Sequence, residues 1–93
     1  MGIAEKYVDI DSSIEREMFG QLDSFAKIIE RALEVTIINR DGKIKLVGDS
    51  GHVDKAYKVI MNIAELIRRG NEITEQNITY AISLVYDDEE EEI

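Results

Sequence analysis

Two short β-branched runs flank the dipeptide Asp41-Gly42, and this arrangement predicts a β-hairpin. The runs are Val35–Asn39 and Lys43–Val47. Glycine tolerates the positive φ of a tight reverse turn, which favours antiparallel pairing of the two runs. In the second run isoleucine and leucine alternate with two lysines, so we expect one apolar and one charged face. The hairpin therefore predicts a sheet that needs helices to cover its apolar side.

Two amphipathic segments flank this hairpin and are expected to supply those helices. The first helix is predicted to begin at Asp23 or Ser24, and the second at Asp49 or Ser50, because these side chains can cap a helix start. Gly70 is expected to end the second helix by taking the left-handed conformation. The apolar stripe of the first comprises Leu22, Phe25, Ile28, Ile29, Ala32 and Leu33. The stripe of the second comprises Val53, Ala56, Tyr57, Ile60, Ile63, Ala64 and Ile67.

The two ends of the chain add further elements. Lys6–Ile10 is a short run with an alternating pattern and is rich in residues that favour β-structure, which predicts a strand. Ser12–Glu15 matches a capping box, which predicts the start of a very short helix that ends at Gly20. Thr74 can cap one more helix, with Ile73 and Ile78 as its hydrophobic staple. Its expected buried face is Ile78, Ala81, Ile82 and Val85. The whole order predicts an α+β domain with a small three-stranded sheet and helices packed on one face.

The charge of the chain is concentrated near its end. The 93 residues include 11 basic and 20 acidic side chains, for a net charge of −9, and six of the acidic residues form the run Asp87–Glu92. Setting those six aside leaves a net charge of −3 on residues 1–86. We therefore predict one folded domain over 1–86, followed over 87–93 by an acidic tail or the start of a linker. Such acidity disfavours nucleic-acid binding, because it repels phosphates, unless a local basic surface provides positive charge.

Several kinds of chemistry are excluded by composition. The chain has no cysteine and a single histidine, His52, which excludes disulfides, thiolate nucleophiles and metal sites built from several cysteines or histidines. No recognised catalytic motif occurs, so we predict no catalytic residue and no metal site. No apolar run approaches the ~20 residues of a membrane span, and the default location is the cytoplasm.

The order strand, helix, helix, strand, strand, helix is that of a type I KH domain, here with one additional C-terminal helix. KH domains hold nucleic acid along a GXXG loop between their first two helices. The corresponding loop here is Gly20–Asp23, which keeps the first glycine but has Asp23 in place of the second. A carboxylate at that position opposes phosphate, and Gly20 is also explained as an ordinary helix stop.

Several longer segments are more specific than this order. They are Met18–Asp23, Ile28–Glu30, Val35–Ile37, Lys43–Asp49, Glu65–Gly70 and Ile73–Ile82. Together they closely resemble the N-terminal domain of the PhoH family, the phosphate-starvation-inducible predicted ATPases. The resemblance extends over most of the chain, from Val8 to Leu84.

This resemblance implies that ATP and Mg²⁺ belong to a downstream P-loop domain. The chain contains no G-x-x-x-x-G-K-[ST] motif, and its nearest Gly-Lys pair, Gly42-Lys43, lies in the predicted hairpin turn. We therefore expect a non-catalytic module without a cofactor of its own. Its expected partners are single-stranded RNA, bound weakly, and the family's own ATPase domain, with homo-oligomers formed through the longer protein.

A local basic strip is the candidate RNA site. Lys27 and Arg31 lie one helical turn apart, and three more cations surround the hairpin. With two loop residues, the predicted site is Gly20, Gln21, Lys27, Arg31, Arg40, Lys43 and Lys45. A solvated charged face is the alternative interpretation, since exposed Lys and Arg are the norm. The alternative function is a protein-interaction, oligomerisation or regulatory docking domain.

Overall fold

A computed structural model of the protein describes residues 2–9, 11, 13, 23–40 and 43–91. Its elements are, in chain order, β1 (Ile3–Asp9), α1 (Asp23–Leu33), β2 (Thr36–Arg40), β3 (Lys43–Asp49), α2 (Ser50–Arg68) and α3 (Glu75–Glu91). The α+β class is confirmed. The predicted short helix ending at Gly20 and the Asp41-Gly42 turn lie outside the described residues, so the KH element order stays a prediction.

The three strands form one antiparallel sheet in the order β1-β3-β2. Its inner face carries Val8, Ile44 and Leu46, which are all buried, as the alternation in the sequence predicts. β1 begins at Ile3 rather than at the predicted Lys6, because its first residues pair with the end of β3. The hairpin strands and their register support the predicted pairing of β2 with β3.

Helices cover the inner face of this sheet. α2 packs on β1 and β3, α1 packs on β2, and α3 packs on both other helices. Every buried residue in the described part of the chain is hydrophobic. The aliphatic core comprises Val8, Ile29, Leu33, Val35, Ile44, Leu46, Val53, Ala56, Val59, Ile60, Ile63, Ala64, Ile78, Ala81, Ile82 and Val85.

The chain reverses direction sharply between α1 and β2. Glu34 has a φ of 54°, and the Val35 amide donates to the Glu30 carbonyl at 3.3 Å, which closes the helix in a Schellman-type turn. The Glu30 carboxylate also accepts a hydrogen bond from the Ile37 amide at 2.8 Å. β2 is thereby held against the helix that precedes it.

Replacing Glu34 with glycine is expected to stabilise the fold by about 0.5–1 kcal/mol, because a side chain at positive φ is strained and glycine is not. Thermal unfolding followed by circular dichroism would show a melting temperature raised by a few degrees. Gly70→Ala is the matched control, since Gly70 has a φ of 90° at the end of α2. We expect that change to lower the melting temperature. A lower melting temperature for Glu34→Gly would contradict the strain argument.

The ends of α2 and α3 follow the predictions, with one correction. Asp49 is the N-cap residue of α2, but its side chain makes no capping hydrogen bond. Gly70 ends α2 as predicted, donating its amide to the Ile67 carbonyl at 2.9 Å. Thr74 caps α3 as predicted: its Oγ1 accepts from the Asn77 amide at 3.3 Å, and the Asn77 side chain accepts from the Thr74 amide at 2.9 Å.

α3 continues as a helix through Glu91 and so includes most of the acidic run. Among the α3 side chains that the structure describes, the buried ones are the four predicted from sequence, and Ile73 packs against the core that includes Ile78, as a staple would. Among the helices described, none combines the length and the apolar character needed to cross a bilayer.

Candidate nucleic-acid interface

The two cations predicted on the first helix lie on one side of α1. Lys27 and Arg31 are both exposed, as their spacing of one turn predicts. Within the described part of the chain neither forms an ion pair. This is notable in a protein whose acidic side chains outnumber its basic ones by 20 to 11.

The two lysines of β3 lie on the outer face of the sheet, away from the helices. Lys43 is exposed and forms no ion pair with any described residue. Lys45 is half-buried, and its Nζ lies 3.4 Å from the Glu5 carboxylate across the sheet. Arg40 is aligned with Lys43 in the β2–β3 register, which places it at the same end of the sheet.

These two groups of cations belong to opposite sides of the sheet. α1 packs on the inner side of β2, whereas Lys43 and Lys45 belong to the outer face. The predicted strip therefore does not follow a single flat surface. Gly20 and Gln21 lie outside the described residues, and Asp23 is the first residue of α1.

The outer face also presents an aromatic ring that was not among the predicted site residues. Tyr7 is 63% exposed and lies opposite Lys45, which lies opposite Ile38 on the far strand. The Lys45 Nζ is 5.9 Å from the centroid of the Tyr7 ring, within the range of a cation–π contact. The signal was present in the sequence, because strict alternation from the buried Val8 puts Tyr7 on the outer face.

Acidic residues share this face. Glu5 pairs with Lys45, and Asp9 lies opposite Lys43 in the register. At the hairpin end of the sheet Lys43 therefore lies between Asp9 and Arg40 in the register, so acidic and basic residues are interspersed on this face.

A second surface feature is a groove between α2 and α3. Its volume is about 240 Å³, and it is lined by Tyr57, Lys58, Met61, Asn62, Leu84 and Val85. Met61 and Leu84 are exposed although they are large and apolar. The Tyr57 ring also contacts β1, since the Lys6 Nζ lies 4.2 Å from its ring centroid.

The described residues contain no group of three or more His, Cys, Asp or Glu side chains placed to hold a metal ion. His52 faces Glu34, with Nδ1 3.9 Å from the carboxylate. The hydrogen bond from Arg68 lowers the pKa of the Glu65 carboxyl, and Arg69 adds to the effect. This exposed cluster of Glu65, Arg68 and Arg69 lies at the C-terminal end of α2.

Comparison with known proteins gives one relative. The chain is 37% identical over 67 residues to a PhoH-like protein of Bacillus subtilis (strain 168). The match covers 72% of this chain but only 21% of that protein, so the chain corresponds to about a fifth of its relative's length. No protein-family model matches the chain, and no solved structure matches it. The predicted resemblance is confirmed by this match: the chain is similar to part of a PhoH-like protein.

Proposed function

We propose that this chain is an accessory RNA-binding module of a PhoH-like ATPase and is not catalytic by itself. The observation that carries the proposal is the set of exposed cations left without ion pairs among the described residues. Lys27, Arg31 and Lys43 form no ion pair with any described residue, although acidic side chains are in excess over the whole sequence. Phosphate binding depends on such local charge, since each neutralised phosphate releases counterions whatever the net charge of the protein.

The ligand of this proposal is a single strand and not a duplex. The cations lie on two sides of the sheet, on α1 and on the outer face of β3, and a flexible single-stranded backbone can pass from one side to the other. A stiff double helix would reach only one of the two sides. In this proposal the module holds RNA near the ATPase domain of a longer PhoH-like protein, and ATP and Mg²⁺ would bind to that domain.

Charge reversal at α1 tests the proposal. Lys27→Glu and Arg31→Glu are each expected to weaken binding to a fluorescein-labelled oligouridylate by about tenfold at low salt, and to reduce the salt dependence of the affinity. Fluorescence anisotropy measures both effects. Lys58→Glu is the matched control, because Lys58 is an exposed lysine on α2 and its reversal changes the net charge equally.

Two results would contradict RNA binding. One is the absence of binding by the unaltered chain at high micromolar concentration in low salt. The other is unchanged RNA affinity of a longer PhoH-like protein after removal of this segment.

The alternative function, docking onto the ATPase domain or oligomerisation, is favoured by the groove between α2 and α3. Its exposed Met61 and Leu84 are apolar side chains of the kind that protein interfaces cover. Sedimentation of a longer PhoH-like protein with and without this domain would distinguish the two functions. Assembly that depends on the domain, together with absent RNA binding, would favour docking.

A further inference from the structure

We propose that the outer face of the sheet stacks one base of a single-stranded RNA on Tyr7, while Lys43 and Lys45 contact the flanking phosphates. This inference rests on the proposed RNA-binding function and assigns it to the outer face of the sheet. The ligand it requires is an unpaired nucleotide, because a stacked base must be free of its partner strand.

The first support is the exposure and setting of Tyr7. Its ring is 63% exposed on a sheet face that no helix covers in the described part of the chain. Directly opposite residues on neighbouring strands have Cβ atoms about 4.5–5.5 Å apart. A row across the three strands therefore presents an aromatic ring, a cation and an aliphatic side chain side by side, which belong to Tyr7, Lys45 and Ile38.

The second support is the placement of the cations beside that ring. Lys43 and Lys45 project from the same face of β3, about 7 Å apart along the strand. Two successive phosphates of an extended strand can reach such a pair. Lys45 already lies beside Tyr7, with its Nζ 5.9 Å from the ring centroid, so a base on the ring brings its phosphate within reach of that ammonium group.

The Glu5 carboxylate is the competitor for this site. It lies 3.4 Å from the Lys45 Nζ and would have to give up that contact when a phosphate binds. The pair is partly exposed, so breaking it costs little. This competition predicts weak binding, and it makes Glu5 a position where substitution should improve affinity.

The side chains around Tyr7 favour RNA over a protein partner, because they set an exposed aromatic ring beside two lysines. Lys43 forms no ion pair with any described residue and lies between Asp9 and Arg40 in the register, whereas Ile3, the most exposed large apolar side chain among the described residues, lies at the other end of β1. A protein partner would be expected to cover Ile3. A stacked nucleotide held at Tyr7, Lys45 and Lys43 has no need of it.

Tyrosine substitutions test the stacking. Tyr7→Ala should weaken binding to the labelled oligouridylate at least about fivefold, and Tyr7→Phe should preserve it, because stacking uses the ring and not the hydroxyl. Tyr80→Ala is the control, since Tyr80 on α3 is 64% exposed and should not matter. Adding RNA should also shift the Tyr7 ring protons upfield in the NMR spectrum, which an effect on folding alone would not do.

A substitution that raises the affinity for RNA provides the second test of this inference. Glu5→Gln should strengthen binding severalfold at low salt, an outcome that damaged folding cannot produce. Lys45→Gln should weaken it and reduce the salt dependence, whereas Lys58→Gln should do neither.

The outcomes separate this inference from the function on which it rests. If the unaltered chain binds RNA and Tyr7→Ala binds equally well, the stacking site is wrong and the proposed function stands. If the unaltered chain binds no RNA, both are wrong. If Ile3→Asp dissociates a concentration-dependent dimer while Tyr7→Ala leaves the RNA affinity unchanged, the outer face of the sheet is a protein interface and the inference is overturned.

Discussion

Replacing Leu46 with alanine is expected to lower the free energy of unfolding by about 3–4 kcal/mol. Leu46 lies in the central strand, between Lys6 of β1 and Ile37 of β2, and it is fully buried beneath the helices. Truncation leaves a cavity in a core whose other walls are aliphatic side chains held by regular structure. A sheet paired on both sides cannot easily collapse into that cavity, which keeps the cost above the lower end of the usual range of about 2–5 kcal/mol.

Urea unfolding measured by circular dichroism gives the difference, with an unchanged slope showing that stability alone has changed. Leu84→Ala is the matched control, because it removes the same atoms from an exposed position on α3. We expect that change to cost less than about 1 kcal/mol. Equal losses at Leu46 and Leu84 would show that the inner face of the sheet is not the main core.

Local periodicity predicts much of this fold because burial follows strand and helix geometry directly. The alternation in Lys43–Val47 separates the buried Ile44 and Leu46 from the outward lysines, and the structure has the same division. The Thr74 cap is likewise a local interaction, complete within α3 and the residue before it. Features of this kind need no knowledge of distant parts of the chain.

Features that depend on distant contacts are the ones that local patterns miss. The first residues of β1 are strand because they pair with Val47–Asp49, and nothing between Ile3 and Glu5 signals this locally. Asp49 lies at the predicted N-cap position, yet its side-chain bond is missing. Helix position depends on hydrophobic burial along the whole of α2, so the cap residue can be right while its hydrogen bond is not made.

The candidate site shows the same division. Spacing alone predicts that Lys27 and Arg31 share a side of α1, and the structure agrees. That they lie on the other side of the sheet from Lys43 and Lys45 depends on which sheet face α1 covers, which is a property of the packed domain. The outward direction of Tyr7 likewise follows from strand alternation, while its position beside Lys45 depends on the register between β1 and β3.

Removing residues 74–93 is expected to abolish the cooperative fold, although α3 is an addition to the predicted KH element order. Ile78, Ile82 and Val85 are buried against α1 and α2, and burial of each contributes about 1.5–3 kcal/mol. Their combined loss of about 5–8 kcal/mol is comparable to the whole stability expected for a domain of this size. Deletion would also expose the apolar surfaces of α1 and α2 that these side chains cover.

The matched control removes only residues 87–93, the acidic end of α3, and leaves all three of those side chains in place. Circular dichroism and urea unfolding should show a cooperative transition near the original midpoint for the chain ending at residue 86, and none for the chain ending at residue 73.

Because the shorter deletion takes away six of the nine net negative charges, it should also strengthen RNA binding at low salt if the proposed function holds. A chain without residues 74–93 that still unfolds at the original midpoint would show that α3 merely rests on a complete domain. An equal loss of stability in both deletions would place the end of the folded unit beyond residue 86.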